Sequence, residues 1–326
     1  MSAATSPGLS RIPVIPIAAL REGDAAAQAA TAQALGAACR EIGFFYVADH
    51  GVPEAKIEAV RDAARRFFAL PRETLMRIAA TRDHYRGYLA MGARSYAGRA
   101  DLMHSFKMQV ELPPDDPDLL AGKPLRQPNK WPEELPGFRE TLLDYYAEMD
   151  ALSHAIMRGF ALALGQEAEF FRPFFRKPLT QLSLLHYPPQ PPDAPEDQFG
   201  IRPHTDTSAF TILGTDPVGG LQVRPKGQDG WVDAPHIPGT YLINIGDMMA
   251  RWTNDEFTST PHRVINATGR ERISVPFFAN PDFDAVVTCL PQCQGPERPP
   301  KYPPQHVGEF ILGRFTAGWE KQGQAA

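Results

Sequence analysis

Short apolar segments between Gln181 and Val287 constrain the fold of this chain more than any other feature of its sequence. Each is rich in Ile, Leu, Val, Thr or Phe, and Gly, Pro or Asp residues separate one segment from the next. The clearest of them are Leu182–Tyr187, Phe210–Leu213, Gly220–Val223, Tyr241–Ile245 and Ile273–Phe278. Strands this short, with turn residues at this spacing, are typical of a β-sandwich or a β-barrel.

The remainder of the chain carries mainly helical patterns, with apolar residues recurring three and four positions apart. Two strands are also predicted there, Ile12–Ile17, whose two prolines favour an edge position, and Phe44–Ala48. The predicted helices are Ala25–Ile42, Ala55–Ala69, Phe138–Leu164 and Val307–Trp319. The sequence therefore predicts an α+β protein, mainly β with α, in which a helical N-terminal region packs on a C-terminal β-barrel that a final helix follows.

The charge balance and the cysteines limit the partners and the compartment that we expect. The 33 Lys and Arg residues against 38 Asp and Glu residues give a net charge of −5, which offers no basic surface for nucleic acid or an anionic membrane. Cys39, Cys289 and Cys293 are too few for a disulfide framework. We expect a cytoplasmic protein with free thiols, a small-molecule substrate, no membrane or nucleic-acid partner and no obligate protein partner.

Three residues have the types and the spacing of a metal site. His204 and Asp206 are two positions apart, so in a strand their side chains would point to the same face. With His262 they would supply two imidazoles and one carboxylate, the ligand set of non-haem Fe(II) oxygenases, which leaves coordination positions open for O₂ and a co-substrate. The His-x-Asp pair alone fits equally well a hydrogen-bonded histidine and an aspartate in a turn.

A second motif, Arg272-Ile273-Ser274, lies ten residues beyond His262 in an apolar segment. A buried arginine needs a partner, and a guanidinium beside a hydroxyl suits a carboxylate. A carboxylate clamp facing the same cavity as a metal would bind a chelating diacid such as 2-oxoglutarate. The alternative for Arg272 is a structural salt bridge. Phe278 shares the parity of Arg272 and Ser274, so we expect it to face the cavity.

Many blocks of the sequence together resemble the isopenicillin N synthase-like family of Fe(II)/2-oxoglutarate-dependent dioxygenases. The resemblance extends over nearly the whole chain. The blocks are Gly43–Val47, His50–Pro53, Arg86–Tyr88, Tyr187–Pro189, Pro203–Thr207, Gly219–Val223, Pro238–Thr240, Asn244–Met248, Arg251–Asn254, Ser259–Val264 and Arg272–Phe278.

The resemblance implies a double-stranded β-helix, or jelly-roll, core and assigns roles to particular residues. His204, Asp206 and His262 match the iron ligands of the family. Arg272, Ser274 and Tyr187 match the residues that bind 2-oxoglutarate. As regions, it implies a disordered lead-in (1–10), an N-terminal dioxygenase region (11–125), a connecting loop and long helix (126–177), the jelly-roll core (178–285) and a C-terminal segment with a helix (286–326).

The activity that the resemblance implies uses Fe(II), 2-oxoglutarate and O₂ to hydroxylate or desaturate a small organic substrate, with release of succinate and CO₂. Candidate substrate-pocket residues are Arg86, Phe106, Met108 and Phe278. One alternative is an oxidase of the isopenicillin N synthase type that does not use 2-oxoglutarate, in which Arg272 and Ser274 would hold a substrate carboxylate. Another is a binding protein that keeps the fold without turnover.

Overall fold

The computed structural model describes residues 12–92, 95–96, 99–190, 194–195 and 198–323, so the predicted lead-in at 1–10 lies outside the described residues. Eight α-helices occur in these parts of the chain, together with 3₁₀ turns at Arg172–Phe174 and Pro291–Cys293. The helices are α1 (Ala19–Glu22), α2 (Ala25–Glu41), α3 (Glu54–Phe68), α4 (Arg72–Arg77), α5 (Pro117–Leu120), α6 (Phe138–Ala163), α7 (Asp247–Trp252) and α8 (Val307–Gly323). The four predicted helices correspond to α2, α3, α6 and α8.

The described strands form two main sheets and two small two-stranded sheets. The strands are β1 (Val14–Pro16), β2 (Phe44–Ala48), β3 (Gly87–Leu89), β4 (Ser95–Tyr96), β5 (Arg99–Ala100), β6 (His104–Gln109), β7 (Gln181–Tyr187), β8 (Ile201–His204), β9 (Phe210–Gly214), β10 (Leu221–Val223), β11 (Val232–Asp233), β12 (Tyr241–Ile245), β13 (His262–Val264), β14 (Arg272–Ala279), β15 (Val286–Val287) and β16 (Gln305–His306). The major sheet has the order β1-β2-β12-β9-β14-β7-β6-β3, and the minor sheet has the order β11-β10-β13-β8.

The two main sheets pack face to face and form the jelly-roll core that the resemblance implies. One buried cluster joins their inner faces, with Tyr187 and Leu242 from the major sheet against Val223 and Val264 from the minor sheet. The strand β1 lies at one edge of the major sheet and pairs only with β2 among the described strands, as its prolines predict. This arrangement leaves a space between the sheets, and the residues predicted to bind the metal and 2-oxoglutarate line it.

The helices α2, α3 and α6 cover the other face of the major sheet. α2 begins with a side-chain cap, because Asp24 accepts a hydrogen bond from the Ala27 amide at 2.8 Å. α3 and α6 bury residues such as Phe67 and Met149 against the outward-facing Phe106 and Phe277 of the sheet. Burial of this apolar surface is the main force that holds the helical N-terminal region on the sheet.

Two further sequence expectations can be compared with the described residues. Cys39, Cys289 and Cys293 are free thiols, as predicted. In the part of the chain that the structure describes, no helix combines the length and the apolar character that crossing a bilayer requires.

Candidate metal centre and adjoining cavity

His204, Asp206 and His262 converge because two strands of the minor sheet place them there. His204 ends β8 and His262 begins β13, and the two residues lie directly opposite each other in the antiparallel pair. Asp206 differs from the prediction, because it lies two residues beyond the end of β8 rather than within a strand. Its backbone carbonyl accepts a hydrogen bond from the Asp247 amide at 2.7 Å, which fixes the loop that carries the carboxylate.

The three side chains have the geometry of a single metal site. Asp206 Oδ1 lies 3.7 Å from His204 Nε2 and 3.8 Å from His262 Nε2, and all three donor atoms lie within 4.8 Å of one another. Metal–ligand bonds of roughly 2.0–2.2 Å to nitrogen and oxygen can be made from a point between such atoms. Two imidazoles and one carboxylate on one side of that point fit ferrous iron and leave its other side open.

Hydrogen bonds on the far side of each ring prepare both histidines to bind a metal. His204 Nδ1 donates to the Arg202 carbonyl at 2.9 Å, and His262 Nδ1 donates to the Thr260 carbonyl at 3.2 Å. A proton on Nδ1 leaves the Nε2 lone pair free to coordinate, and the bond also fixes the orientation of the ring. Both Nε2 atoms therefore face Asp206 in the tautomer that a metal requires.

The carboxylate of Asp206 is oriented by two buried side chains. Its Oδ2 accepts hydrogen bonds from Thr211 Oγ1 at 2.6 Å and from Asn244 Nδ2 at 2.8 Å, which leaves Oδ1 directed at the histidines. Burial alone would raise the pKa of Asp206, but electrostatic interactions with His262 and His204 and these two hydrogen bonds together lower it. The group is therefore ionised, as a metal ligand must be.

Arg272, Ser274 and Tyr187 form a second cluster facing the same space. Arg272 is 1% exposed; its Nη1 donates to Ser274 Oγ at 3.1 Å and its Nε donates to the Gly219 carbonyl at 2.7 Å. The guanidinium carbon lies 4.7 Å from the ring centroid of Tyr187, the residue opposite Arg272 in the β7–β14 pair. The partners that we find for Arg272 are neutral, so a carboxylate ligand would supply the charge that balances it.

One cavity of about 630 Å³ connects the two clusters and is lined by both sheets and by α8. Its lining includes the three metal-site residues, Tyr187, Arg272, Ser274 and Phe278. Phe278 faces the cavity as its parity with Arg272 predicts. Part of the lining is apolar, with Leu89, Met103, Leu179 and Phe315 among the residues that enclose the space.

The structure places the other three predicted pocket residues away from this cavity lining. Phe106 and Met108 are fully buried on the opposite face of β6, among the helices, because side chains alternate along a strand and Lys107 and Gln109 point to the cavity instead. Arg86 is also buried, and it binds the segment that follows β6.

Arg86 stabilises a connection rather than lining the cavity. It donates hydrogen bonds to Gln109 Oε1 at 3.0 Å and to the backbone carbonyls of Leu125 and Val110 at 3.1 and 3.3 Å. Burial, with a smaller contribution from the charge of Arg126, lowers the pKa of Arg86 to about 10. These partners are internal groups of the protein, so the structure gives Arg86 a structural position.

Four residues of the site were not identified from the sequence: Thr211, Asn244, Asp101 and Arg202. The last two form a salt bridge at 3.0 Å at the cavity wall, beside the carbonyl that accepts from His204. Asn244 lies in a block that resembles the family, which could have identified it. The local pattern around Thr211 predicts only a strand. The role of Thr211 can be recognised only from its distance to Asp206 in the structure.

Comparisons with known proteins agree with this geometry. Residues 12–134 match the family described as non-haem dioxygenase in morphine synthesis N-terminal, and residues 179–281 match the 2OG-Fe(II) oxygenase superfamily. The chain is 38% identical over 305 residues to the 2-oxoglutarate-Fe(II) type oxidoreductase hxnY of Emericella nidulans, over 91% of this chain and 87% of that protein. It is 37% identical over 268 residues to homoarginine-6-hydroxylase 2-ODD-233 of Oryza sativa subsp. japonica, over 80% of this chain and 81% of that protein.

A solved structure supports the same assignment. A full-length protein of Neurospora crassa, crystallised in complex with alpha-KG and thymine, is 28% identical and matches with a TM-score of 0.86, over 97% of this chain and 99% of that one. The chain therefore belongs to the 2OG-Fe(II) oxygenase superfamily and is an oxidoreductase that uses Fe(II), 2-oxoglutarate and O₂.

Proposed function

We propose that His204, Asp206 and His262 bind the ferrous iron, that Arg272, Ser274 and Tyr187 bind 2-oxoglutarate, and that the chain hydroxylates or desaturates a small organic substrate beside them. The observation that carries the proposal is the convergence of the three donor atoms within 4.8 Å. The position of a fully buried guanidinium on the same cavity supports the second assignment.

Each of these residues has a defined task. The two histidines and Asp206 hold the metal from one side, so the other side faces the cavity. Arg272 and the Ser274 hydroxyl hold the distal carboxylate of 2-oxoglutarate, which directs its 2-oxo acid end toward the metal. Iron, when bound, supplies the activation of O₂ that couples decarboxylation of 2-oxoglutarate to oxidation of a C–H bond.

Substrate binding is assigned to the remaining cavity wall. Phe278 shares a face of β14 with Arg272 and Ser274, and its ring offers an apolar surface near the metal. The apolar part of the lining excludes water from the reacting C–H bond. Known relatives act on different small molecules, so their names do not identify the substrate of this chain. The residues that line the cavity limit which substrates can bind.

The proposed setting is cytoplasmic. The three free cysteines support a reducing compartment. The net charge of −5 supports a substrate that is neither nucleic acid nor a membrane lipid surface.

Anaerobic titrations of the purified chain with Fe(II) and 2-oxoglutarate test both assignments. We expect His262→Ala to lose Fe(II) binding and Arg272→Ala to keep Fe(II) binding but to weaken 2-oxoglutarate binding by roughly tenfold or more. His306→Ala and Arg270→Ala are matched controls, because both residues are exposed and lie outside the cavity lining. Normal Fe(II) affinity in His262→Ala would overturn the metal assignment.

Aerobic turnover separates the proposed reaction from an oxidase. A substrate screen that measures succinate release above the uncoupled background should identify compounds whose oxidation depends on 2-oxoglutarate. Substrate-dependent oxygen uptake that is insensitive to 2-oxoglutarate would instead favour a reaction of the isopenicillin N synthase type. An unchanged 2-oxoglutarate requirement in Arg272→Ala would point in the same direction.

A further inference from the structure

Two glutamine side chains line the cavity wall at a distance from both clusters described above. Gln109 ends β6 and Gln181 begins β7, and the two residues lie directly opposite each other in the antiparallel pair. They are 3% and 8% exposed. Directly opposite residues of a sheet have Cβ atoms roughly 4.5–5.5 Å apart, so one small group of a ligand can contact both amides.

The protein fixes the orientation of the Gln109 amide. Arg86 Nη2 donates to Gln109 Oε1 at 3.0 Å, and because a guanidinium can only donate, this side of the amide must carry the oxygen. Asn129 holds the backbone of Gln109, since it accepts from the Gln109 amide at 3.0 Å and donates to the Gln109 carbonyl at 2.9 Å. Gln109 Nε2 is the atom that remains for a ligand.

The nitrogen of the Gln109 side chain opens to the cavity. Gln109 Nε2 finds no acceptor among the described residues, and the protein does not enclose it. Because Gln109 is otherwise almost fully buried and lines the cavity, the cavity is the space to which this nitrogen is open. The wall therefore presents an uncharged hydrogen-bond donor at this position.

Gln181 presents the complementary acceptor. Its Nε2 donates to Ser183 Oγ at 3.0 Å, which leaves Gln181 Oε1 on the cavity side. The reverse orientation would place the NH₂ groups of Gln181 and Gln109 side by side with no acceptor between them. Like the Gln109 nitrogen, Gln181 Oε1 has no partner in the part of the chain that the structure describes and is not enclosed. We call Gln109 and Gln181 the amide pair.

One row of residues across the sheet connects the amide pair to the metal site. Gln181 is paired with Phe278 of β14, and Phe278 is paired with Thr211 of β9, whose hydroxyl bonds Asp206. Neighbouring strands are roughly 4.8 Å apart, so about 10 Å separates Gln181 from Thr211. A ligand that contacts the amide pair and reaches the metal must lie across Phe278, which requires an apolar body about the size of one ring.

The amide pair is too far from Arg272 to bind the same end of 2-oxoglutarate. Arg272 is paired with Tyr187 at the other end of β7, roughly 20 Å from Gln181. In the proposed function, the distal carboxylate of 2-oxoglutarate lies at Arg272 and its 2-oxo acid end lies at the metal. The amide pair is therefore available to the substrate rather than to the co-substrate.

We propose that Gln109 and Gln181 bind an amide edge of the substrate, and that the substrate class is a primary carboxamide or a lactam that carries an apolar ring. These groups present a C=O and an N–H on the same side. Gln109 Nε2 donates to the carbonyl oxygen, Gln181 Oε1 accepts from the N–H, and the ring lies over Phe278 with a C–H bond toward the metal. The inference rests on the proposed function, because it takes the metal and 2-oxoglutarate positions as given.

Ligands with and without the N–H group test the acceptor. The probes are benzamide and 2-quinolinone, compared with N,N-dimethylbenzamide and 1-methyl-2-quinolinone. Each is titrated calorimetrically, without oxygen, into the full chain loaded with Fe(II) and 2-oxoglutarate. At least one N–H compound should bind wild-type protein roughly tenfold more tightly than its methylated counterpart. Gln181→Met should abolish that preference.

The same substitution at the two glutamines separates the donor from the acceptor. Gln109→Glu keeps the volume and the oxygen that accepts from Arg86 but removes the donor, so the affinity for the N–H compounds should fall by roughly tenfold or more. Gln181→Glu keeps an oxygen toward the ligand, and the Ser183 hydroxyl can donate to its other oxygen. This variant should therefore retain the preference for the N–H compounds.

Controls distinguish this inference from the proposed function. Gln33→Glu changes an exposed glutamine of α2 outside the cavity lining, and it should bind every probe as the wild type does. The 2-oxoglutarate affinity of each glutamine variant should equal that of the wild type. This measurement verifies folding and shows that the co-substrate does not use the amide pair.

Three results would overturn the inference. They are equal binding of N–H and methylated compounds, or no binding of any probe, in wild-type protein; equal effects of Gln109→Glu and Gln181→Glu; and weakened 2-oxoglutarate binding in these variants. The third would assign the amide pair to the co-substrate. If wild-type protein failed to bind 2-oxoglutarate at all, the proposed function itself would fall, which is a separate outcome.

Discussion

Among single residues, Thr211 and Asn244 fix the orientation of Asp206, the carboxylate that we propose as a metal ligand. They hold one oxygen of the carboxylate, so the other is directed at the two histidines. Residues that orient a metal ligand typically contribute a factor of roughly 10–100 to metal affinity. Loss of either hydrogen bond to Asp206 should therefore lower the affinity for the metal rather than the stability of the fold.

Thr211→Val tests this contribution. The variant keeps the volume and the β-branched shape of the side chain but removes the donor at 2.6 Å from Asp206 Oδ2. We expect Fe(II) affinity to fall by roughly 10–100-fold in an anaerobic titration. Thr215→Val is the matched control, since Thr215 is also buried, follows the same strand and bonds His236 instead. Equal losses in the two variants would contradict the assignment.

The proposed metal ligands could be predicted from residue types and spacing, but the buried lysine of the cavity wall could not. His204, Asp206 and His262 carry their chemistry in their identity, so a pattern of three residues was informative. Lys107 is different, because a lysine in a sequence usually indicates a solvated surface. Its burial depends on α8 and on β7, which lie far away in the chain, and no local pattern contains that information.

Among the secondary-structure elements, β6 explains why two substrate residues were assigned to the wrong face. Its residues from Ser105 to Gln109 are all buried, so neither face is marked by exposure. Apolar side chains at Phe106 and Met108 favoured an apolar pocket, whereas the structure uses them to pack the helices. When both faces of a strand are buried, alternation shows which residues share a face but not which face is functional.

The pairing of β6 with β7 also brings two histidines together on the helical side of the sheet. His104 lies opposite His186; its Nε2 is hydrogen-bonded to His186 Nδ1, and its Nδ1 is hydrogen-bonded to the Tyr88 hydroxyl. Burial and, to a smaller extent, the charge of His186 lower the pKa of His104 to about 4. Because an unfolded histidine titrates near 6.5, the unfolded chain binds a proton between about pH 6.5 and 4 that the native chain does not.

This difference predicts a loss of stability on acidification that depends on His104. As the pH falls from about 6.5 toward 4, protonation favours the unfolded chain, so the melting temperature should decrease. His104→Gln should show a smaller decrease between about pH 7 and pH 5 than the wild type in thermal unfolding. His306→Gln, which changes an exposed histidine, should retain the full decrease. An identical pH dependence in His104→Gln and the wild type would exclude this role.

The turn from α2 into β2 depends on a glycine. Gly43 has φ of +70°, and a Cβ added there would lie 2.0 Å from the Thr258 carbonyl oxygen. Its amide bonds the Ala38 carbonyl, and its carbonyl accepts from Ile245 of β12, so the turn cannot move freely. Both the backbone conformation and the close approach therefore require the absence of a side chain.

We expect Gly43→Ala to lower the free energy of unfolding by roughly 2–4 kcal/mol, because steric overlap adds to the backbone strain. Gly122→Ala is the matched control, since Gly122 has φ of +62° but no atom within 4 Å of an added Cβ. That variant should lose about 1 kcal/mol from strain alone. Urea unfolding of the three proteins measures both values, and equal losses would show that the overlap is relieved by movement.

In the whole molecule, the N-terminal region and the jelly-roll core share one sheet. The strands β1 and β2 extend it at one edge, and β3 and β6 extend it at the other, with the core strands between them. The predicted boundaries at 125 and 178 therefore divide the sequence but not the sheet. Pairing between residues as distant as Phe45 and Ile243 depends on long-range register, which local sequence patterns do not contain.

Because both sheets contribute to the site, its ligands should stabilise the entire fold. The metal residues come from the minor sheet and its loop, whereas Arg272 comes from the major sheet, and the site is assembled only when both are folded. A ligand that binds only the native state at about 100 times its Kd stabilises that state by about 2.7 kcal/mol. At roughly 1.5 °C for each kcal/mol in a chain of 326 residues, 2-oxoglutarate should raise the melting temperature by roughly 4 °C above the metal-bound protein.

Two variants resolve that increment into its parts when Mn(II) replaces iron in an aerobic thermal scan. Arg272→Ala should keep the stabilisation by Mn(II) but lose most of the further increment from 2-oxoglutarate, because the distal carboxylate has lost its partner. His262→Ala should lose both, since the co-substrate also chelates the metal. Arg270→Ala, which changes an exposed arginine two positions away, should respond as the wild type does. A full 2-oxoglutarate increment in Arg272→Ala would mean that a different group holds the diacid, and the two-sheet assembly of the site would have to be reassigned.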